Sequence, residues 1–265
     1  MTRLALFIGV AIGLGFTLAR PLAQTPDRGA LPDVLNRAIA YYATLSSYSD
    51  TGTLREEVPG IVNEAKFTTY FRRETRDLYF NFQELTSTNP ENRYTIDMTA
   101  NRTVVWMFKG EMQKYEAKTR THDVVAPANG GQVRALQALV HATTGASVLI
   151  PSLLYSQAKL PGTILQIQEA AVAGIEEVNN RRCHKITGTA ALIYPSGQRG
   201  NVRPVTLWID ADTQLVRKVS EDTPEGRPAG AFLRLTVTMQ PQANPTLADS
   251  QFQFQIPSDP KGAAK

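Results

Sequence analysis

The feature of this sequence that most limits its fold is a set of short segments in which apolar residues occupy every second position. In AKFTTYF, residues 65–71, Phe67 and Phe71 alternate with polar side chains. DLYFNF, residues 77–82, repeats the pattern, and QFQFQI, residues 251–256, is a further example. Because successive side chains of a β-strand point to opposite faces of its sheet, this spacing predicts strands with one apolar face.

Other segments with the same spacing follow along the chain, each separated from the next by polar or turn-forming residues. They lie at residues 94–98, 103–108, 112–117, 163–172, 182–194, 204–210, 214–221 and 231–239. Short strands arranged in this way favour an antiparallel meander. A sheet of about ten strands tends to curl, and its concave face must then be covered or occupied.

Two stretches have the period of a helix instead. Residues 31–46, LPDVLNRAIAYYATLS, place apolar side chains at helical spacing, and the turn-forming SSYSDTG is expected to end this helix. Residues 130–159 contain aliphatic side chains such as Leu136 and Leu139 at helical spacing, interrupted by glycine and proline. We expect two or three short helices there, which cover the sheet as a lid.

These patterns together predict a mainly β (α+β) fold, namely an open, curved antiparallel half-barrel with an N-terminal helix and short central helices. One domain is predicted over residues 25–257, with a disordered tail at 258–265. Residues 1–23 have the pattern of a secretory signal peptide, because Arg3 precedes an apolar run that ends in small residues, so the protein is expected in the periplasm. The alternative is an N-terminal anchor in the inner membrane, since about 16 apolar residues approach the roughly 20 that span a bilayer.

Charge and cysteine content exclude some classes of protein. The chain of 265 residues has a net charge of +4, to which Arg3 and Arg20 of the predicted signal peptide contribute two positive charges. So small a balance gives no reason to expect nucleic-acid binding, and we expect peripheral membrane contact or none. Cys183 is the only cysteine, which rules out an intramolecular disulfide and favours a buried, inert thiol.

WIDADTQLVRKV, residues 208–219, raises the question of a metal site, because Asp210 and Asp212 could both supply oxygen ligands. The residues on either side alternate as strands, which places both acids in a short connecting turn. No further oxygen ligand stands at compatible spacing, and the three histidines show no paired spacing for zinc. We therefore predict a turn, with no metal and no cofactor.

Ser156-Gln-Ala-Lys159 matches the S-x-x-K pattern of some serine hydrolases, but the companion motifs of those enzymes are missing. The chain also lacks a G-x-S-x-G motif, a Walker loop and a dinucleotide-binding glycine pattern. No catalytic residue is predicted, and the protein is not expected to be an enzyme. Hydrolysis through Ser156 and Lys159 is the least favoured of three hypotheses about function.

The order of the predicted elements and three local patches resemble the periplasmic lipoprotein-carrier superfamily of LolA and LolB, which includes RseB-type and other exported proteins. TTYFRRETRDLYFNF, residues 68–82, is similar to the family's strand, KRP turn and strand. NRTVVWMF, residues 101–108, is similar to its DGxxLWxY hairpin, and residues 205–219 are similar to its late hairpin. The resemblance spans most of residues 31–257.

Arg73 occupies the position of the carrier's functional arginine, to which the resemblance assigns a ligand-gating role. The sequence departs from the family pattern at two places, since Glu74 stands where the family has proline and Asn101-Arg102 stands where it has Asp-Gly. The resemblance is closer to other exported relatives than to the carrier itself.

The resemblance implies a carrier or binding protein for a hydrophobic ligand, a lipid or the acyl chain of a lipoprotein, held between the concave sheet and the helical lid. The candidate ligand contacts are Phe67, Phe71, Arg73, Phe80, Phe82, Trp106, Leu136, Leu139, Leu149, Leu153, Leu207 and Leu233. The second hypothesis is a sensing or scaffolding module that binds an envelope protein and fills its concave face with its own side chains.

Overall fold

The computed structural model describes residues 32–125, 153–154, 167–193, 199–223 and 234–258. These residues form helix α1 (Asp33–Thr44) and thirteen strands in one antiparallel sheet. The strands are β1 (Ser47–Val58), β2 (Ile61–Arg72), β3 (Asp77–Asn89), β4 (Tyr94–Asp97), β5 (Arg102–Phe108), β6 (Glu111–Glu116), β7 (Thr121–Val125), β8 (Gln168–Val178), β9 (Arg181–Ile193), β10 (Arg199–Asp210), β11 (Val216–Asp222), β12 (Arg234–Met239) and β13 (Gln242–Ala243). The predicted signal peptide and residues 259–265 of the predicted tail lie outside the described residues.

The sheet is open and curved, and its strand order is β7-β6-β5-β3-β2-β1-β12-β11-β10-β9-β8. β4 pairs with β3, and β13 pairs with β1. β1 stands at the centre, because it pairs with β2 on one side and with β12 on the other. The predicted mainly β half-barrel is therefore confirmed.

Helix α1 confirms the predicted N-terminal helix. Among the described residues, it covers one face of the sheet. Pro32 precedes it, and the Leu35 N–H donates to the Pro32 carbonyl at 2.9 Å. Its buried face consists of Val34, Leu35, Ala38 and Tyr42, which recur at the spacing of one side of a helix. The helix contacts β10. None of the helices among the described residues is long and apolar enough to cross a membrane.

Two segments differ from their predicted structure. Residues 47–52, which we expected to be a turn after the helix, form the first half of β1, because they pair with β2, β12 and β13. QFQFQI, predicted as a strand, belongs instead to a 3-10 helix at Asp249–Phe252 and an irregular segment after it. Tertiary pairing overrides local turn propensity in the first case and strand propensity in the second.

The turn between β10 and β11 answers the question of a metal site at Asp210 and Asp212. One oxygen of Asp210 accepts hydrogen bonds from the Asp212 and Thr213 N–H groups at 3.0 Å each, and the other accepts one from Arg217 at 2.9 Å. Burial opposes ionisation, but these hydrogen bonds hold the pKa of Asp210 below its ordinary value. The Asp210 carboxylate is thus committed to the turn, as predicted.

Candidate ligand-binding face

The concave face of the sheet, the side that α1 covers, is built from alternate residues of the central strands. Across β2 and β3, Phe67 stands opposite Phe82 and Phe71 stands opposite Leu78. These side chains and Phe80 are all buried, in one cluster with the inner side of α1. The alternation read from the sequence therefore places the four predicted phenylalanines on one surface.

Packing between the rings is close at the centre of this face. The rings of Phe67 and Phe80 stack with centroids 6.0 Å apart and an interplanar angle of 22°. Gly52 on β1 makes room for them, since a Cβ atom there would lie 2.2 Å from Cζ of Phe67 and 2.7 Å from the Thr238 carbonyl oxygen. A glycine is needed at this point because the Phe67 ring lies across the β1 backbone.

The other half of the sheet continues the same apolar surface with aliphatic side chains. Leu207 on β10 is fully buried, and it lies beside Ile186 of β9 and Val219 of β11. Leu153 is 1% exposed and belongs to the same cluster as these residues and α1. The predicted candidates Leu136, Leu139, Leu149 and Leu233 lie outside the described residues.

Arg73, at the end of β2, ties the covering elements to the sheet. Its guanidinium donates to the carbonyls of Tyr42 at 2.8 Å, Leu45 at 2.7 Å and Leu154 at 3.2 Å. The first two carbonyls belong to the C-terminal end of α1, where a helix leaves carbonyls unpaired and favours a positive charge. The third belongs to the Leu153–Leu154 pair, so one side chain holds α1 and this pair together.

Trp106 does not belong to this surface, and its predicted grouping with the phenylalanines was wrong. Val105 is the residue opposite Phe80, so Trp106 stands opposite Tyr79 and points to the convex face. It lies there in a separate cluster with Tyr79, Val104, Tyr115 and Phe252. Alternation along β5 shows that Val105 and Trp106 face opposite sides of the sheet, but it does not show which of them faces inward. The register of β5 against β3 decides this.

A polar group that the sequence analysis missed lies within the concave face. Asp50 on β1 is 2% exposed and stands directly opposite Thr69, which is fully buried. The Asp50 carboxylate accepts hydrogen bonds from the Tyr48 hydroxyl at 3.1 Å and the Gln240 N–H at 3.0 Å. Burial raises the pKa of Asp50 to about 7, although these hydrogen bonds and Arg217 act in the opposite direction.

Asp50 could have been found from the sequence by extending the two-residue alternation backward. Tyr48, Asp50, Gly52 and Leu54 occupy alternate positions, and all of them lie on the concave side of β1. Serine, aspartate and glycine in SSYSDTG are also common turn residues, and for this reason the segment was predicted as a turn and not as a strand. The partner strands, which are distant in sequence, make the strand the stable choice.

Charged side chains border the concave face beyond the apolar rows. Glu221 on β11 forms an ion pair with Arg203 of β10 at 3.4 Å. Burial raises the pKa of Glu221, and Arg203 offsets part of that rise. Glu56 of β1 lies in the same row, because it and Glu221 both stand opposite Leu235 of β12. The face therefore grades from apolar at its centre to charged at this border.

Two kinds of reactive site can be checked in the described residues, namely a metal site and a reactive cysteine. No group of three or more histidine, cysteine, aspartate or glutamate side chains in the described residues is arranged to hold a metal ion. Cys183 is buried and free, and burial raises the pKa of its thiol to about 11. The thiol is therefore protonated near neutral pH, which agrees with the inert cysteine that we predicted.

An open antiparallel sheet with a helix tied across its concave face defines the half-barrel class that the sequence resemblance indicated. The family model described as predicted periplasmic protein (DUF2092) matches residues 65–264. The chain therefore belongs to this family of periplasmic proteins, and the expected periplasmic location is confirmed. Among curated proteins, none matches the chain.

Three solved structures show a distant likeness. Lipoprotein LppX of Mycobacterium tuberculosis is 12% identical, with a TM-score of 0.43 over 81% of this chain and 95% of that chain. LprF from Mycobacterium bovis is 14% identical, with a TM-score of 0.40 over 85% and 94%. The Pseudomonas aeruginosa MucA/MucB complex contains a chain that is 17% identical, with a TM-score of 0.41 over 84% and 60%.

Proposed function

We propose that this periplasmic protein binds a hydrophobic ligand, such as a lipid or the acyl chain of a lipoprotein, on the concave face of its sheet and carries it. The observation behind the proposal is the largely apolar surface beneath α1, which includes Phe82, Phe67 and Leu207. A hydrocarbon chain needs such a surface, because its binding energy comes from removing methylene groups from water.

The energetics are compatible with reversible carriage. Burying about a dozen methylene groups contributes roughly 10 kcal/mol, at about 0.8 kcal/mol each. Lost rigid-body freedom and chain ordering cost several kcal/mol of this gain. The remainder corresponds to dissociation constants on the order of micromolar to nanomolar. A carrier with this affinity keeps its ligand bound during transport and can still release it.

Release would require the cover to move, and Arg73 is the residue that we assign to this step. Its three hydrogen bonds join α1 and Leu154 to the end of β2. Breaking them would remove one attachment of the C-terminal end of α1 without disturbing any ladder hydrogen bond. The hydrogen bond from the Val216 N–H to the Tyr42 hydroxyl is a second attachment of this end. These contacts support the gating role that the family resemblance implies for Arg73, and they form with Glu74 in the position of the family's proline.

The test begins with the mature protein purified from its host and extracted for lipid mass spectrometry. Titration with a fluorescent fatty acid should then show saturable binding, and Phe82→Ala on the concave face should weaken it by about tenfold. Trp106→Ala, which removes a similar ring from the convex face, is the matched control and should leave the affinity unchanged. A protein that is reproducibly empty and ignores fatty acids would contradict the proposal.

A second candidate function is an envelope interaction module, as the sequence analysis also considered. The observation that favours it is the burial of Phe67 and Phe80, which are 3% and 0% exposed and so pack against the protein's own atoms. Capture of one specific envelope protein, with an affinity that Phe82→Ala leaves intact, would favour this function over lipid carriage.

We further propose that the protein acts without catalysis. The hydrolase hypothesis depends on Ser156 and Lys159, which lie outside the described residues. A Ser156→Ala variant should retain full function in a complementation assay. Loss of function in that variant, with unchanged secretion and folding, would revive the hydrolase hypothesis.

A further inference from the structure

The polar group formed by Asp50 and Thr69 interrupts an otherwise apolar part of the concave face. Phe67 and Phe71 flank Thr69 along β2, and Phe80 stands opposite it on β3. Asp50 and Thr69 are 2% and 0% exposed. Two hydrogen-bonding side chains thus lie among aromatic rings at the centre of the proposed binding surface.

The hydrogen bonding of this group is incomplete. The Asp50 carboxylate accepts hydrogen bonds from Tyr48 and from the Gln240 N–H. The Thr69 hydroxyl is buried and has no hydrogen-bond partner among the described residues. A buried hydroxyl without a partner is costly, whereas a valine of the same shape would avoid that cost. The Thr69 hydroxyl therefore remains available for a further hydrogen bond.

We propose that Asp50 and Thr69 bind a hydroxyl group on the hydrocarbon chain of the ligand. The ligand hydroxyl would donate a hydrogen bond to an Asp50 oxygen, and the Thr69 hydroxyl would donate a hydrogen bond to the ligand oxygen. This inference rests on the proposed function, and it narrows the ligand to hydroxylated acyl chains.

The surroundings favour a neutral group over a charged one. Within the described part of the chain, the charged and titratable groups around Asp50 are Tyr48 on β1, Tyr42 on α1 and Arg217 on β11. An ammonium group would bring a full charge among the phenylalanine rings, and a carboxylate would meet the negative form of Asp50. The pKa of Asp50 is about 7, and both of its protonation states keep an oxygen that can accept a hydrogen bond. A hydroxyl suits both states.

In this proposal, a ligand reaches Asp50 and Thr69 only when α1 moves. The ring of Tyr42, on the buried side of the helix, lies 5.7 Å from the ring of Tyr48, which donates to Asp50. The Val216 N–H donates to the Tyr42 hydroxyl at 3.1 Å, which attaches the helix to the start of β11. Movement of α1, the element that Arg73 holds, would uncover Asp50 and Thr69 together.

The experiment compares stearic acid with positional isomers of hydroxystearic acid by isothermal titration of the purified full-length mature protein. At least one isomer should bind about fivefold to tenfold more tightly than stearic acid, as expected for one or two added hydrogen bonds. Thr69→Val should bring the ratio of the two affinities close to one, and Thr69→Ser, which keeps the hydroxyl, should preserve it. Thr68→Val, the same change on the opposite face of β2, is the matched control and should not alter the ratio.

Each outcome has one meaning. Equal affinity of the wild-type protein for every isomer and for stearic acid would overturn the inference while leaving the carrier function intact, and so would a preference that survives Thr69→Val. Binding of none of the acids would count against the proposed function itself. Circular dichroism of each variant separates a lost preference from a lost fold.

Discussion

The two faces of the sheet are covered in different ways, although both covers are attached at the same place. On the concave face, Arg73 donates three hydrogen bonds to backbone carbonyls of α1, Leu45 and Leu154. On the convex face, the neighbouring Arg72 forms ion pairs with Asp77 at 2.9 Å and with Asp249 at 2.7 Å. The last residue of β2 and the residue directly after it thus serve opposite faces of the sheet.

The convex cover is the C-terminal segment at residues 245–256, which side chains hold in place. Phe252 is fully buried, 4.7 Å from the Arg72 guanidinium, and contacts Tyr70. Phe254 lies against Trp106 and Tyr115, with ring centroids 5.5 Å and 5.4 Å apart. Arg73 thus holds the concave cover through backbone carbonyls, in addition to the buried side chains of α1. The convex cover is held mainly by aromatic side chains and by the ion pair of Arg72 with Asp249.

The largest effect is expected from Phe80→Ala, which tests whether the concave face is the main core of the fold. Phe80 is fully buried and stacks on Phe67, so its loss should lower the free energy of unfolding by about 3–5 kcal/mol. Urea denaturation with an unchanged m-value would measure this. A loss below about 1 kcal/mol would mean that the concave face relaxes easily around the missing ring.

The next effect is a pH dependence that arises from Asp50 on the concave face. Asp50 has a pKa of about 7 in the folded protein against 3.8 in the unfolded chain. The folded state holds the proton more tightly, so this contribution to stability is complete below about pH 4 and is lost as the pH rises through about 7. The difference in unfolding free energy between wild type and Asp50→Asn should therefore change by about 2–4 kcal/mol across this range. Parallel pH profiles for the two proteins would contradict the assignment.

A smaller effect is expected from Arg73→Gln, which removes the attachment of the concave cover. Loss of the charged hydrogen bonds to Tyr42, Leu45 and Leu154 should cost about 2 kcal/mol. Hydrogen exchange should quicken in α1 while the central strands stay protected. Arg55→Gln, at an exposed ion pair with Glu57 and Glu64, is the control and should change neither quantity. Uniformly faster exchange in all strands would show that Arg73 supports the whole sheet.

The smallest effect is expected from Phe252→Ala on the convex face. Because residues 245–256 are held mainly by side chains, we expect them to detach at a cost of no more than about 2 kcal/mol, before the sheet unfolds. Limited proteolysis should then cleave this segment and leave the sheet intact. If the variant unfolds in one step with a loss as large as that of Phe80→Ala, the two faces are equally part of the core.

Much of the fold follows from the sequence because alternation is a local property. The strands around Phe67, Phe80 and Leu207 were predicted from spacing alone, and so was the helix at Asp33–Thr44. Arg73 was located through the family resemblance, and the structure adds its three carbonyl partners. Spacing along one strand cannot show how that strand is shifted against its neighbour.

The sequence by itself therefore determined the strands, the helix and, within each strand, the two alternating sets of residues that face opposite sides of the sheet. The tertiary structure decided which kind faces inward, since the register of β5 against β3 sends Trp106 outward and Val105 inward. It also decided that Asp50 lies in a strand beneath α1, although its neighbours are turn formers, and that Phe252 docks on the convex face without joining a ladder. The physical reason is the same in each case: burial and pairing with distant residues contribute more free energy than local backbone preference.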